Sequence, residues 1–317
     1  MRAWPAIACL ALLAAAGCGA ADRLFGAIHG ELLCGYDVLA LPNEKVEVRV
    51  QLLAGSFLSD QKNRPIRFLR DGKVVKETRT DDEGHASLVF QPGARGNTVF
   101  QAEAPPANPL GAPARADIHV ACREAGDPMC VVDLDKTLVD SGVKEVLLGD
   151  PDAMPGSPEV MARLARQFTI VYLTHRPTPM EPKSKVWLRS KTFPEGPVLC
   201  STRRQFVHSS EQYKSDVLAE LTGRFRAIRF GVGDKESDAD AYHANGLHTV
   251  LLVIAKADPK HLREQADDLN GLPEDTDAVA GWAQVEKVIL GGGRFPRAAM
   301  QQALREQADR VDPHKGK

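Results

Sequence analysis

Between Arg123 and Met129 the hydrophobic rhythm of this chain changes, and no single layered architecture fits both halves. Upstream, apolar residues recur every second position. In Lys45 to Leu53, Val46, Val48, Val50 and Leu52 fall on one face and mostly charged or polar residues on the other, the signature of a half-buried strand. Pro65 to Leu69, Lys73 to Thr78, His85 to Phe90 and Thr98 to Ala102 repeat the pattern, separated by turn signals such as Asp71-Gly72 and Asp81-Asp82-Glu83-Gly84. Several short strands in roughly 100 residues imply an all-β sandwich. Downstream, strands alternate with helical segments. A buried run Cys130-Val131-Val132 leads to a helix at Ser157 to Gln167, with Ser157 as N-cap and Pro158 at the first helical position. A strand at Phe168 to Leu173, a helix at Pro182 to Lys191 and a strand at Val198 to Cys200 follow. Then come a helix at Glu211 to Thr222, a strand at Ala227 to Val232, a helix at Ser237 to Ala244 and a strand at Thr249 to Ile254. Such alternation implies a doubly wound parallel sheet with helices on both faces.

The chain of 317 residues therefore divides into a sandwich over residues 24–122, an α/β domain over 128–256 and a helical extension over 257–317, the last read as helices at Asp277 to Leu290 and Pro296 to Arg310. A net charge of −2 gives no global attraction for nucleic acid, and no basic patch argues for it locally. Residues 1–18 differ in kind. Arg2 precedes an apolar run from Pro5 to Ala16 that is shorter than the roughly 20 residues needed to span a bilayer. It reads as a secretion signal, and the small residues Ala15, Ala16 and Gly17 before Cys18 resemble the cleavage box of bacterial lipoproteins. The expectation is an extracytoplasmic protein of the bacterial cell envelope, anchored to the membrane through lipid on Cys18, or otherwise periplasmic or secreted. In that oxidising setting Cys34 and Cys122 could form a disulfide; the alternative is that these two, with Cys130 and Cys200, are small buried hydrophobes.

Four polar signals fall at the ends of the α/β elements. Asp133 and Asp135 leave the first buried strand two residues apart, as a nucleophile and a proton donor for phosphoryl transfer would. Thr174 ends the strand "TIVYL", where its hydroxyl can bond a phosphate oxygen. Lys214 begins a helix and offers a point charge. Gly233-Asp234-Lys235-Glu236-Ser237-Asp238 follows the strand "AIRFGV" and brings carboxylates that, with Asp133, could hold a hard cation. Taken singly, each is an ordinary cap, loop or surface charge; their order and spacing together carry the signal.

The segments "VVDLDKTLVDS", "VYLTHRP", "YKSDVLAEL" and "FGVGDKESDADAY" resemble the four motifs of the haloacid-dehalogenase (HAD) superfamily, and most of all its lipin-like (LNS2) and actin-patch phosphatidate phosphatase branch. "GPVLCST" (Gly196 to Thr202) is similar to the lipin "GPVLLSP". The resemblance covers about Met129 to Ile254. The stretch "RDGKVVKETRTDDEGHASLVF" resembles bacterial immunoglobulin-like domains, which implies a fold and no function. The superfamily pattern implies that Asp133 attacks phosphorus and carries an aspartyl-phosphate, while Asp135 protonates the leaving group and later activates water. Thr174 and Lys214 would hold the phosphoryl oxygens. Asp234 and Asp238, with the Asp133 carboxylate and the Asp135 carbonyl, would bind Mg²⁺.

Lys136 stands where lipin-type enzymes have Gly, and with His175 and Arg176 it is a candidate substrate contact. The stretches after Asp135 and after Cys200 are too short, at about 20 and about ten residues, to hold a cap domain. An open site suits a phosphate ester that is large or membrane-borne, such as phosphatidate or another phospholipid. Two alternatives stand beside it: a phosphatase for soluble phosphate esters, and a non-catalytic phospholipid-binding module of the LNS2 kind.

Overall fold

A computed structural model describes residues 30–55, 57–108, 111–140 and 150–312. The stretch expected to be a secretion signal, with Cys18, lies outside the described residues.

The first half forms two sheets facing each other. One contains β1 (Glu31–Tyr36), β3 (Val46–Ala54), β4 (Ser59–Asp60) and β7 (His85–Phe90), with β3 flanked antiparallel by β1 and β7. The other has the order β2-β9-β8-β5-β6, from β2 (Val38–Ala40), β9 (Ala114–Cys122), β8 (Gly96–Ala104), β5 (Pro65–Arg70) and β6 (Lys73–Arg79). The alternation of β3 aims Val46, Val48, Val50 and Leu52 at Ile66, Phe68, Phe100 and Ile118 of the facing sheet. Asp71 and Gly72, with φ of 52° and 73°, make the two-residue turn joining β5 to β6; both positive values match a hairpin whose twist follows its strands.

The second half is a six-stranded parallel sheet of order β12-β11-β10-β13-β14-β15. Its strands are β10 (Met129–Val132), β11 (Thr169–Pro177), β12 (Val198–Ser201), β13 (Ile228–Gly233), β14 (His248–Leu252) and β15 (Asp277–Val279). Helices α1 (Ser157–Leu164), α2 (Glu181–Ser190) and α6 (Trp282–Ile289) pack against one face, where Cys130, Val132, Tyr172 and Val232 are buried. Helices α3 (Ser210–Arg224) and α4 (Glu236–Ala244) cover the other, over Met129, Val131, Val171 and Leu173. Buried on both faces, β10 is apolar throughout, which is why its sequence is a run rather than an alternation. The chain winds outward from β10 in one direction through β11 and β12 and in the other through β13, so the sheet reverses its winding between β10 and β13. A crevice opens there beyond the strand ends.

Three expectations change. The region after residue 256 is not only helical: β15 adds a sixth parallel strand, and α5 (Pro259–Asp268), α6 and α7 (Arg297–Val311) surround it. Ser157 is not the N-cap of α1; Gly156 holds that place at φ 77°, and the Ser157 hydroxyl is buried without a partner. Cys34 and Cys122 are separate free thiols. Beside Cys34, Gly35 abuts the carbonyl of Asp117, whereas Cys122 lies five residues farther along β9, roughly 17 Å at about 3.3 Å per residue. A disulfide needs Cα atoms within about 7 Å.

Candidate active site at the switch point of the sheet

Asp133 continues β10 by one residue, donating its N–H to the carbonyl of Val232 at 2.9 Å, which fixes where its side chain leaves the strand. Two further carboxylates come from the neighbouring strand: Asp234 directly after β13, and Asp238 in the first turn of α4. Ligand oxygens of Asp133, Asp234 and Asp238 lie within 4.8 Å of one another. The approach is close because residue 233 is Gly; a Cβ there would come 2.5 Å from Oδ2 of Asp238. Lys214 reaches in from α3, its Nζ 2.8 Å from Oδ1 of Asp133 and 2.6 Å from Oδ1 of Asp238. Asp238 Oδ2 accepts the N–H of Asp234 at 3.2 Å.

Three carboxylates facing one ammonium leave an excess of two negative charges in a buried place. Burial pushes the Asp133 carboxyl up to about 6 against the pull of Lys214, with Asp238 and Asp135 adding repulsion. Burial and the neighbouring Asp133 push Asp234 up to about 7. Burial disfavours the charged form of Lys214, but Asp133 and Asp238 outweigh it and hold the ammonium above its ordinary value. Asp234 Oδ1 is buried with no hydrogen-bond partner. An orphaned oxygen, a surplus of two negative charges and an all-oxygen donor set fit a hard divalent cation such as Mg²⁺.

Asp135 does not join this cluster through its carboxylate. Arg176 grips it with both arms, Nε to Oδ2 at 3.0 Å and a terminal nitrogen to Oδ1 at 2.7 Å, while its other terminal nitrogen donates to Ser184 Oγ at 2.9 Å. This corrects the expectation for Arg176: its side chain is fully buried and committed to Asp135, so it is not a free substrate contact. Thr174 is buried within β11, three residues before its end, its hydroxyl accepting the N–H of Arg176 at 3.2 Å. His175 lies between the rings of Phe206 and Tyr213, with centroids 5.1 and 5.5 Å away. Burial holds its imidazole below the ordinary value, a hydrogen bond to the Gln205 backbone opposes this, and Lys214 and Lys235 add to the lowering. A neutral, stacked ring of this kind packs the loop. Lys136 is exposed with φ 58°, the left-handed backbone that a Gly adopts without strain.

Sequence reasoning missed two supports of the site. Ser184 orients Arg176 from α2, and Trp282 from α6 donates its indole N–H to the carbonyl of Thr137 at 3.0 Å, tethering the loop after Asp135. Neither carries a local signal, because each partner lies on a different element.

Among families, the LNS2 domain of PITM 1-3 matches residues 130–254, the stretch from β10 to just past β14. That is 125 of 317 residues, and it is a likeness consistent with a HAD-like fold. No curated protein matches the chain. Among solved structures, the titin M3 domain is 10% identical with a TM-score of 0.23, covering 30% of this chain and 99% of its own. The D00-D0 domain of intimin is 12% identical with a TM-score of 0.23, covering 29% of this chain, which spans 46% of that one. The Ig1-2 module of the Drosophila receptor protein tyrosine phosphatase DLAR is 16% identical, TM-score 0.23, with 34% and 61% covered. Likenesses this slight carry no argument.

Proposed function

We propose that the chain is a Mg²⁺-dependent phosphomonoester hydrolase working through an aspartyl-phosphate on Asp133. The observation that carries this reading is the buried set of Asp133, Asp234 and Asp238 around Lys214, all at the switch point of a parallel sheet. Lys214 holds one carboxylate oxygen of Asp133 and orients the other for attack. The new bond forms between that oxygen and phosphorus as the ester P–O bond breaks, and the departing oxygen takes its proton from Asp135. Water then attacks phosphorus, giving its proton back to Asp135, and the P–O bond to Asp133 breaks to release phosphate. Arg176 keeps Asp135 in one orientation for both steps. Thr174 and Lys214 bind the phosphoryl oxygens. Held by Asp133, Asp234 and Asp238, with the Asp135 carbonyl as a further ligand, Mg²⁺ would supply the positive charge that lets a carboxylate approach a phosphate dianion.

A groove on the same edge of the sheet favours an ester with an apolar tail, phosphatidate being one. A cavity of ≈ 360 Å³ is lined by Val253, Ile254, Ala278, Phe295, Ala299 and Met300. Val253 follows β14 and Ala278 lies on β15, one and two strands beyond the β13 strand that delivers Asp234. The size of the cavity lies within the range of ligand pockets. Lipid on Cys18 would bring such a site to a membrane in the cell envelope; labelled fatty acid incorporated by the wild type and lost in Cys18→Ala tests this.

The second reading is a phospholipid-binding module without turnover. Asp133, the group such a module does not need, favours the enzyme. Phosphate release from p-nitrophenyl phosphate and from phosphatidate in mixed micelles, with and without Mg²⁺, separates the two. Asp133→Asn is expected to lower kcat by a factor on the order of a thousand or more. Full activity in that variant overturns the mechanism, and phosphatidate binding without phosphate release establishes the module.

A further inference from the structure

Where the sandwich meets the α/β domain, Leu39 and Ala121 join the apolar cluster beneath α3, and beside them one carboxylate is fully buried. Asp37 is the residue at which the chain passes from β1 in one sheet to β2 in the other, and its side chain is fully buried. It faces away from the sandwich core. Its Oδ1 accepts the N–H of His119 at 2.7 Å and Lys185 Nζ at 2.6 Å, and its Oδ2 accepts the N–H of Val198 at 2.9 Å. Val198 opens β12, and Lys185 lies on α2. Lys185 also donates to the carbonyl of Asp117 at 2.7 Å and pairs with Glu181, whose Oε2 accepts the N–H of Gly35. Other polar ties across the boundary are less buried: Arg203 with Asp60, Arg204 with Glu83 and Arg189 with Asp117 lie at the surface and contribute little, and Arg224 of α3, half-buried, donates to the Leu39 carbonyl at 2.9 Å and to Glu44 at 2.6 Å.

Both elements that Asp37 fixes support the last residues of β11 and the turn that follows it. At the far end of β12, the Ser201 hydroxyl lies 3.1 and 3.2 Å from the carbonyls of His175 and Arg176, and the Ser201 carbonyl accepts the hydroxyl of Thr178 at 2.9 Å. On α2, one turn after Glu181 and directly before Lys185, Ser184 meets Arg176, which in turn clamps Asp135. A buried carboxylate–ammonium pair costs several kcal/mol of desolvation per ion and is a poor way to join two domains for stability alone. Its worth lies in fixing one geometry.

We propose that Asp37 is a positioning residue of the catalytic site, through which the sandwich sets the placement of Arg176 and Asp135. The inference rests on the acid–base role of Asp135 given above. The sandwich is then a part of the catalytic apparatus rather than a spacer.

The test uses the leaving group. An aryl ester such as p-nitrophenyl phosphate departs with little help from a proton, whereas an alkyl ester such as hexyl phosphate depends on it. Three variants of the full chain are compared on both esters with Mg²⁺: Asp135→Asn as the benchmark, Asp37→Ala, and the triple variant Asp37→Leu/Glu181→Gln/Lys185→Met. The triple variant removes Asp37 together with Lys185 and the Glu181 that Lys185 also pairs with, so no buried ion is left without its partner, as Lys185 partly is in Asp37→Ala. In both Asp37 variants kcat on hexyl phosphate is expected to fall about tenfold or more, with kcat on the aryl ester within about threefold of wild type and KM little changed. Asp37→Asn, which keeps an accepting oxygen, is expected to recover part of the loss. If Asp135→Asn shows the split between esters and the Asp37 variants lose both esters equally, or neither, the positioning role is refuted while the hydrolase reading stands. If Asp135→Asn itself shows no split, the acid–base reading falls and the positioning role falls with it.

Discussion

Lys136 is one residue where the chain departs from the pattern it resembles, and the backbone shows the consequence. A left-handed conformation costs an L side chain on the order of 1–2 kcal/mol, yet Lys136 adopts φ 58°. Lys136→Gly removes that strain but makes the unfolded chain freer by about 0.5–1 kcal/mol, so the two effects nearly cancel. Thermal melting should place the variant within about 1 kcal/mol of wild type. Its KM for a phosphate ester should rise if the exposed ammonium contacts substrate. A large stability loss would show instead that Lys136 has a folded-state partner. At this scale the sequence was informative about identity and silent about pairing. Asp133, Thr174, Lys214, Asp234 and Asp238 could be found because each sits at the end of an element with a readable period. The clamp of Arg176 on Asp135 could not, since it joins residues 41 positions apart, and Arg176 accordingly looked free to bind substrate.

Elements with one exposed face were legible, and those defined by their neighbours were not. The alternation of β3 and the Asp71-Gly72 turn declared themselves, and the bounds of β7 are as its pattern indicates. β15 is three residues long and begins with an aspartate, which argues against a buried strand. Asp277 is tolerated there because His248 Nε2 lies 2.7 Å and Arg294 Nε 3.0 Å from its carboxylate. The α6 helix shows why this region belongs to the sheet. Trp282 is among the largest fully buried side chains and holds the Thr137 carbonyl. Trp282→Ala is expected to cost about 3–5 kcal/mol, measured by denaturant unfolding. Trp282→Phe retains most of the volume and loses the hydrogen bond; its smaller loss, on the order of 1 kcal/mol, isolates that bond. Equal losses in the two variants would show that the bond contributes nothing.

For the molecule as a whole, the acid cluster makes stability depend on pH and on metal together. With no cation bound, Asp133 at about 6 and Asp234 at about 7 lie above the ordinary aspartate value. The folded chain thus keeps protons that the unfolded chain has released, and the stability this contributes, present below about pH 4, is lost as pH rises through about 7. A tenfold difference in a carboxyl's acidity between the folded and unfolded chain is worth about 1.4 kcal/mol. The metal-stripped protein should melt at a higher temperature near pH 5 than near pH 8, and Mg²⁺ should raise the melting temperature far more at pH 8, where the ligands are ionised. Calorimetry at fixed ionic strength measures both. A Mg²⁺ effect equal at the two pH values would remove the cluster as the metal site.

The rims of the parallel sheet are closed from opposite sides. At β15 the N–H of Ala278 goes to the carbonyl of Phe295, and Pro296, which has no N–H to offer, lies bridged to Asp277. At β12 the first N–H is taken by Asp37. Strand β6 on the sandwich, the outermost of its sheet, carries exposed Lys73 and Lys76, charges that discourage a second backbone from aligning there. A second copy that approached either rim of the parallel sheet edge-on would find the first backbone donors there already engaged.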